Sequence, residues 1–211
     1  MTARRLLFGV VAAAAAAVGL AAALYLDARR DSQPEIGGYV LERPRALPAV
    51  ALVDERSTPF HAADFSGHWS FLYFGYTYCP DVCPLTLVEL AAVKQQLVAE
   101  HPEQRVKFYF ISVDPQRDTP ARLREYVAYF DPAFHGLTGT NEALASLASA
   151  TETLFAVPAD QGSDNYLVSH SSNLVLLDPE ARVYAVLTPP HDSARIAVDF
   201  TNVAARYAAR R

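Results

Sequence analysis

The chain holds only two cysteines, Cys79 and Cys83, and they fall within residues 73–90, YFGYTYCPDVCPLTLVEL, where an apolar run gives way to a helical pattern. That junction constrains everything around it. Pro84 carries no N–H and fits best in a first helical turn, which predicts Cys83 as the N-cap and Cys79 in the turn before it. Thiols near a helix N-terminus face the positive end of the dipole, so thiolate is favoured over thiol, and with it metal binding and thiol exchange. Two thiolates in one turn either clasp a soft metal ion or close into a disulfide.

The flanking pattern is α/β. Residues 69–74, WSFLYF, are nearly all apolar without alternation, the mark of a strand covered on both faces in a parallel sheet. After the cysteines a helix is expected to about Ala99, with Leu87, Leu90, Ala91, Leu97 and Val98 on one face. Residues 106–113, VKFYFISV, form the next buried strand. Thr119 caps and Pro120 opens a second helix ending near Phe130, and a third helical segment follows Thr140 or Asn141 with Leu144, Leu147 and Leu154. Residues 173–177 and 183–187 read as an antiparallel hairpin across Asp178-Pro179-Glu180-Ala181, and a last helix opens at Ser193. A short hairpin is expected earlier, around residues 50–53 and Phe60, turning at Glu55-Arg56-Ser57. Together these elements describe a thioredoxin-like sheet with flanking helices, in which chemistry sits at the carboxyl ends of strands, where Cys79 falls.

Residues 6–26 are an uncharged run of 21 preceded by Arg4 and Arg5. That is long enough to cross about 30 Å of hydrocarbon, so residues 1–26 are expected to be a single N-terminal transmembrane anchor; the apolar part of a cleaved signal peptide is normally shorter, roughly 7 to 15 residues. Residues 27–48 mix charges with Pro34, Gly37, Gly38, Pro44 and Pro48 and read as a linker, leaving 49–211 as the domain. Paired cysteines place that domain on the outer, oxidising side of the membrane, periplasmic or equivalent. The net charge of −5 and the lack of a basic patch exclude an electrostatic hold on nucleic acid. Met1 is the sole methionine, which excludes a methionine-rich copper site.

A disulfide across so small a loop would stabilise little, so a purely structural staple is a poor use of this spacing. A structural zinc site wants four ligands, and no second cysteine pair exists. Of the six histidines, His170 differs by position. It lies in YLVSHSSNLVLLD just before the strand that begins the hairpin, a junction that faces the dithiol turn in a thioredoxin-like sheet. Two thiolates and one imidazole suit Cu(I) and tolerate Cu(II). His191, after Pro189-Pro190, is a distant second choice, and His101 follows a helix C-terminus. Asp114, at a strand end, is either a partner to the site or a cap for the following turn, the structural role being favoured. Asp81 stands between the cysteines and can orient backbone or tune charge there, and Tyr73, Tyr76 and Tyr78 read as packing. A redox-active dithiol of Cys79 and Cys83 is the rival reading from the enzyme class, either a thiol:disulfide oxidoreductase or a thiol peroxidase. Three intervening residues, instead of the two of a thioredoxin motif, count against a dedicated redox enzyme.

Phe74-Gly75-Tyr76-Thr77, Cys79-Pro80-Asp81-Val82-Cys83-Pro84, Ser112-Val113-Asp114-Pro115 with Arg117-Asp118-Thr119-Pro120, and His170-Ser171 together resemble the SCO/SenC family. Its members are membrane-anchored, thioredoxin-fold copper proteins that help assemble the binuclear copper A centre of cytochrome c oxidase. The resemblance spans about residues 48–210. It implies a copper ion held by Cys79, Cys83 and His170, received from a copper donor protein and passed to the copper A subunit of the oxidase. It also implies that the dithiol can reduce that subunit's cysteines. Ser169 departs from the pattern, standing where an Asp often precedes the ligand histidine, and Ala181 replaces the usual turn glycine.

Overall fold

Strand β4 (Trp69–Gly75) is buried at every position, as an unbroken apolar run requires of a strand covered on both faces. It lies inside an eight-stranded sheet in the computed structural model, which describes residues 8, 11, 13–23, 35–158 and 166–210. On one side β4 pairs in parallel with β5 (Val106–Ser112), from Trp69↔Val106 to Gly75↔Ser112, and β5 pairs in parallel with β6 (His135–Gly139). On the other side it pairs antiparallel with β9 (Leu174–Leu177), which forms the expected hairpin with β10 (Arg182–Leu187). The outer strands are β1 (Gly38–Ala46) beside β10, and the hairpin β2 (Ala51–Asp54) and β3 (Pro59–His61) beyond β6. A separate two-stranded ladder joins β7 (Phe155–Ala156) to β8 (Ser169–His170).

Alternation along β4 splits the core in two. Trp69, Phe71 and Tyr73 face a layer with α2 (Val82–Glu100), α3 (Pro120–Phe130) and α5 (Ser193–Ala209), while Leu72 and Phe74 face a layer with α4 (Asn141–Ala150). The helix starts follow their caps: Thr119, Thr140 and Asp192 side chains accept from the backbone N–H groups of Arg122, Ala143 and Arg195. Among the described residues α2 is the helix long and apolar enough to cross a membrane, yet Leu87, Leu90, Val93 and Leu97 are buried in the core. Its opposite face leaves Val82, Leu85, Val88 and Val98 exposed, so Val98 does not belong to the packed face expected of it.

Two further expectations are revised. Residues 38–46 are not spacer but the edge strand β1, with Val40 buried; Pro44 is tolerated because the ladder to β10 is irregular between Val40 and Arg45. Helix α4 stops at Ala150, where the Thr151 hydroxyl donates to the carbonyls of Leu147 and Ala148, so Leu154 lies beyond it and is exposed. Of the expected anchor, residues 1–26, the structure describes residues 8, 11 and 13–23, and the apolar helix α1 (Ala13–Ala23) lies there. Residues 27–34 of the expected linker lie outside the described residues.

One buried histidine gives the fold a pH signature. His68, 6% exposed, stacks on Tyr109 with Nε2 3.0 Å from its hydroxyl; burial, and then the charge of Lys107, pushes its pKa down to about 4. The unfolded chain binds a proton near pH 6.5 that the native state refuses, so stability falls as pH drops from about 6.5 towards 4. Urea unfolding of wild type and His68→Gln across this window should show wild type losing on the order of 1–2 kcal/mol more than the variant.

Candidate metal centre

The site begins where β4 runs out. After Gly75 the chain turns, with the Cys79 N–H donating to the Tyr76 carbonyl at 3.1 Å, and enters α2 at Val82 with Asp81 as N-cap. Cys83 is therefore the second residue of the helix and not its cap. Pro84 still fits, because the first four N–H groups of a helix have no intrahelical acceptor. The orphan N–H of Cys83 turns back to Cys79 Sγ at 3.5 Å, which puts both sulfurs on one side of the turn. The Asp81 side chain makes no cap hydrogen bond, but its backbone N–H helps hold Cys79 as thiolate.

Gly75 is required by this arrangement. A Cβ built there would stand 2.8 Å from Cys83 Sγ and 2.8 Å from the Phe110 ring. Asp118, fully buried, fixes the turn from the side: it accepts the Thr77 N–H at 2.9 Å, the Thr77 hydroxyl at 2.6 Å and the Ser112 hydroxyl at 2.6 Å. A single carboxylate thus ties the end of β5 to the residue two before Cys79.

His170 arrives from β8. Its Nε2 lies 3.3 Å from Cys83 Sγ, and its Nδ1 is 3.2 Å from the Ser171 carbonyl. The Nδ1 contact with that carbonyl orients the ring so that Nε2 faces the sulfur of Cys83. Tyr73 and Tyr76 hold the ring edge-on at 6.2 and 6.0 Å. The three ligand atoms all lie within 4.8 Å of one another, close to the roughly 4 Å spacing that bonds of about 2.0–2.3 Å impose around one ion. Two sulfurs and one nitrogen form a soft donor set suited to copper or zinc, and three protein ligands leave a fourth position open.

The two thiols are unlike. Cys79 is half-buried, and its pKa is held well below the usual thiol range by the Cys83 side chain donating to it, with backbone N–H groups of Asp81 and Cys83 adding to the effect. Cys83 is buried, and the same contact with Cys79, followed by burial, pushes its thiol up. The outer sulfur thus favours thiolate and the inner one thiol.

Other sequence candidates lie elsewhere. His191 Nε2 is 2.6 Å from the Ser172 carbonyl, in a groove lined by Val82, Leu85, Pro189 and Pro190, and is outside the triad; His101 pairs with Thr201. Asp114 takes a side-chain role: Oδ2 accepts from Arg117 Nε at 2.5 Å and Oδ1 from the Tyr166 hydroxyl at 2.7 Å. Sequence reasoning gave no role to Arg117, Asp118, Arg122 or Tyr166. The Arg117-Asp118-Thr119-Pro120 run was visible as a motif, but nothing in it tells a helix-capping neighbourhood from a buried anchor for a turn 41 residues upstream.

Fold and geometry define a class: an α/β domain whose central parallel strand ends in a dithiol turn completed by a distant imidazole. The SCO1/SenC family model matches residues 42–205, and the chain belongs to that family. A Stutzerimonas stutzeri protein named as copper-binding is 42% identical over 151 residues, covering 72% of this chain and 73% of that protein. The mitochondrial SCO2 homolog of Bos taurus is 39% identical over 160 residues, 75% of this chain but only 58% of that protein. Among solved structures, copper-bound ScoI of Arabidopsis thaliana is similar at TM-score 0.70 with 32% identity, covering 76% of this chain and 98% of that one. Copper-bound yeast Sco1 gives 0.69 with 30% identity, covering 75% and 87%.

Gly75→Ala tests the close approach. The added methyl should cost about 1–3 kcal/mol in denaturant unfolding. It should also change the reaction rate of the Cys79 thiolate with a thiol-modifying dye, because Cys83 Sγ must shift to make room.

Proposed function

We propose that this chain is a copper metallochaperone that holds one copper ion through Cys79 Sγ, Cys83 Sγ and His170 Nε2 and delivers it to the copper A subunit of cytochrome c oxidase. The observation that carries the reading is the 3.3 Å approach of His170 Nε2 to Cys83 Sγ, with the other ring nitrogen occupied by the Ser171 carbonyl. Family membership and copper-bound relatives support the choice of copper within the soft set. In this reading the copper is cargo. Half-buried Cys79 is the thiolate that an acceptor's thiolates would displace first, while buried Cys83 retains the ion until exchange is complete. The apolar run at 6–26 would tether the domain to the membrane, on the outer side where the oxidase subunit offers its copper site.

The asymmetry of the thiols favours a second reading, a thiol:disulfide oxidoreductase that reduces the acceptor's cysteines. Cys79 as thiolate would attack the target disulfide, giving a mixed disulfide, and Cys83 would resolve it, leaving an oxidised Cys79–Cys83 pair and two target thiols.

Competition with a Cu(I) chelator, using the fully reduced chain, separates the two. One copper should bind per chain, Cys83→Ser should abolish stoichiometric uptake, and His170→Ala should weaken it by at least about ten-fold. A His170→Ala variant that keeps wild-type copper affinity would refute the chaperone reading; retained reduction of an oxidised copper A peptide by that variant would support the second.

A further inference from the structure

Arg117 lies at the crossing point of the two segments that carry the ligands. Its guanidinium carbon is 3.5 Å from the ring centroid of Tyr166, 4.7 Å from that of Tyr78 and 5.6 Å from that of Tyr76. Tyr78 directly precedes Cys79 and also contacts Arg122, 4.0 Å from its ring centroid. Tyr166 lies four residues before His170. Asp114 closes the set, taking Arg117 on one oxygen and the Tyr166 hydroxyl on the other, with Asp114 and Arg117 side chains only 1% and 9% exposed.

Besides the edges of Tyr73 and Tyr76, the His170 segment is held by a short ladder and by the Ser171–Leu154 hydrogen bonds that continue it. The β7–β8 ladder is two residues long on each strand, and so short a ladder is not stable alone in water. Val168 is buried and keeps the backbone against the sheet. A planar cation over the Tyr166 ring, bonded to the carboxylate that receives its hydroxyl, ties that segment to the Cys79 turn.

We infer that Arg117, held by Asp114, is a positioning residue for the metal centre: it clamps Tyr166 of the His170 segment to Tyr78 of the Cys79 turn and so sets the distance between imidazole and thiolates. Asp114 is thereby committed to the clamp, with both oxygens engaged, and is not a fourth metal ligand. The consequence for copper rests on the reading of the previous section; the clamp itself does not require a metal.

The test uses the full reduced chain as wild type, Arg117→Ala, Arg117→Lys and Tyr166→Ala. In the metal-free proteins, amide hydrogen exchange at residues 168–171 should rise about ten-fold in Arg117→Ala and Tyr166→Ala, with exchange in β4 and β5 unchanged. Arg117→Lys keeps the charge for Asp114 but not the planar stack, and should fall between. With Cu(I), the alanine variants should bind about ten-fold more weakly, and X-ray absorption should show two sulfurs with the nitrogen scatterer lost. Unchanged exchange at 168–171 in both alanine variants, or full retention of the nitrogen ligand in both, would overturn the clamp. Should Arg117→Ala fail to fold, Tyr166→Ala, at a half-buried loop position, decides alone. A wild-type chain that takes up no copper would sink the chaperone reading, while the exchange data would still judge the clamp.

Discussion

The buried carboxylate of Asp118 joins the sheet to the chemistry. Its three hydrogen bonds run to Ser112 at the end of β5 and to Thr77 in the turn beyond β4, so the parallel pairing of those strands is carried past Gly75↔Ser112 into a region with no ladder. Burial pushes the Asp118 pKa up, while the bonds from Ser112 and Thr77 pull the other way. Removing the carboxylate would strand the Thr77 N–H as a buried, unpaired donor, the costly side of hydrogen-bond energetics. The turn that presents Cys79 is therefore fixed by the sheet and not by its own sequence.

The same logic explains why the sulfurs differ. A dipole argument treats two thiols at a helix start alike, yet Cys83 lies in the core against Gly75 while Cys79 stays at the rim. Burial favours the neutral form of the inner thiol, and its S–H then stabilises the outer thiolate. A soft cation that replaces the shared proton meets sulfurs already gathered on one side of the turn, with an imidazole lone pair beside them.

Much of this was readable before any coordinates. The double-sided apolar runs of β4 and β5, the Thr-Pro start of α3 and the β9–β10 hairpin all express local rules that tertiary context reinforces. The pairing of His170 with the cysteines followed from knowing which strand junction faces which. Residues 38–46 misled because prolines and glycines read as spacer, although an edge strand with an interrupted ladder accepts both. The start of α2 shifted because a cysteine N–H found a sulfur acceptor, a cap that propensities do not encode. Tyr166, Arg117 and Asp114 were invisible as a unit: each is unremarkable alone, and 52 residues separate the tyrosine from its carboxylate.

The edge strand β1 also bears on how the domain is bounded. It covers the outer rim of β10 and turns Glu42 and Arg43 outward, and its Tyr39 and Arg45 reach across to Glu152 in the loop after α4. A chain trimmed to residue 49, where composition alone would place the start, would bare the backbone of β10 as a sticky margin open to strand exchange with another molecule. The globular unit must therefore be cut upstream of Gly38, so that the outer margin of the sheet keeps its cover.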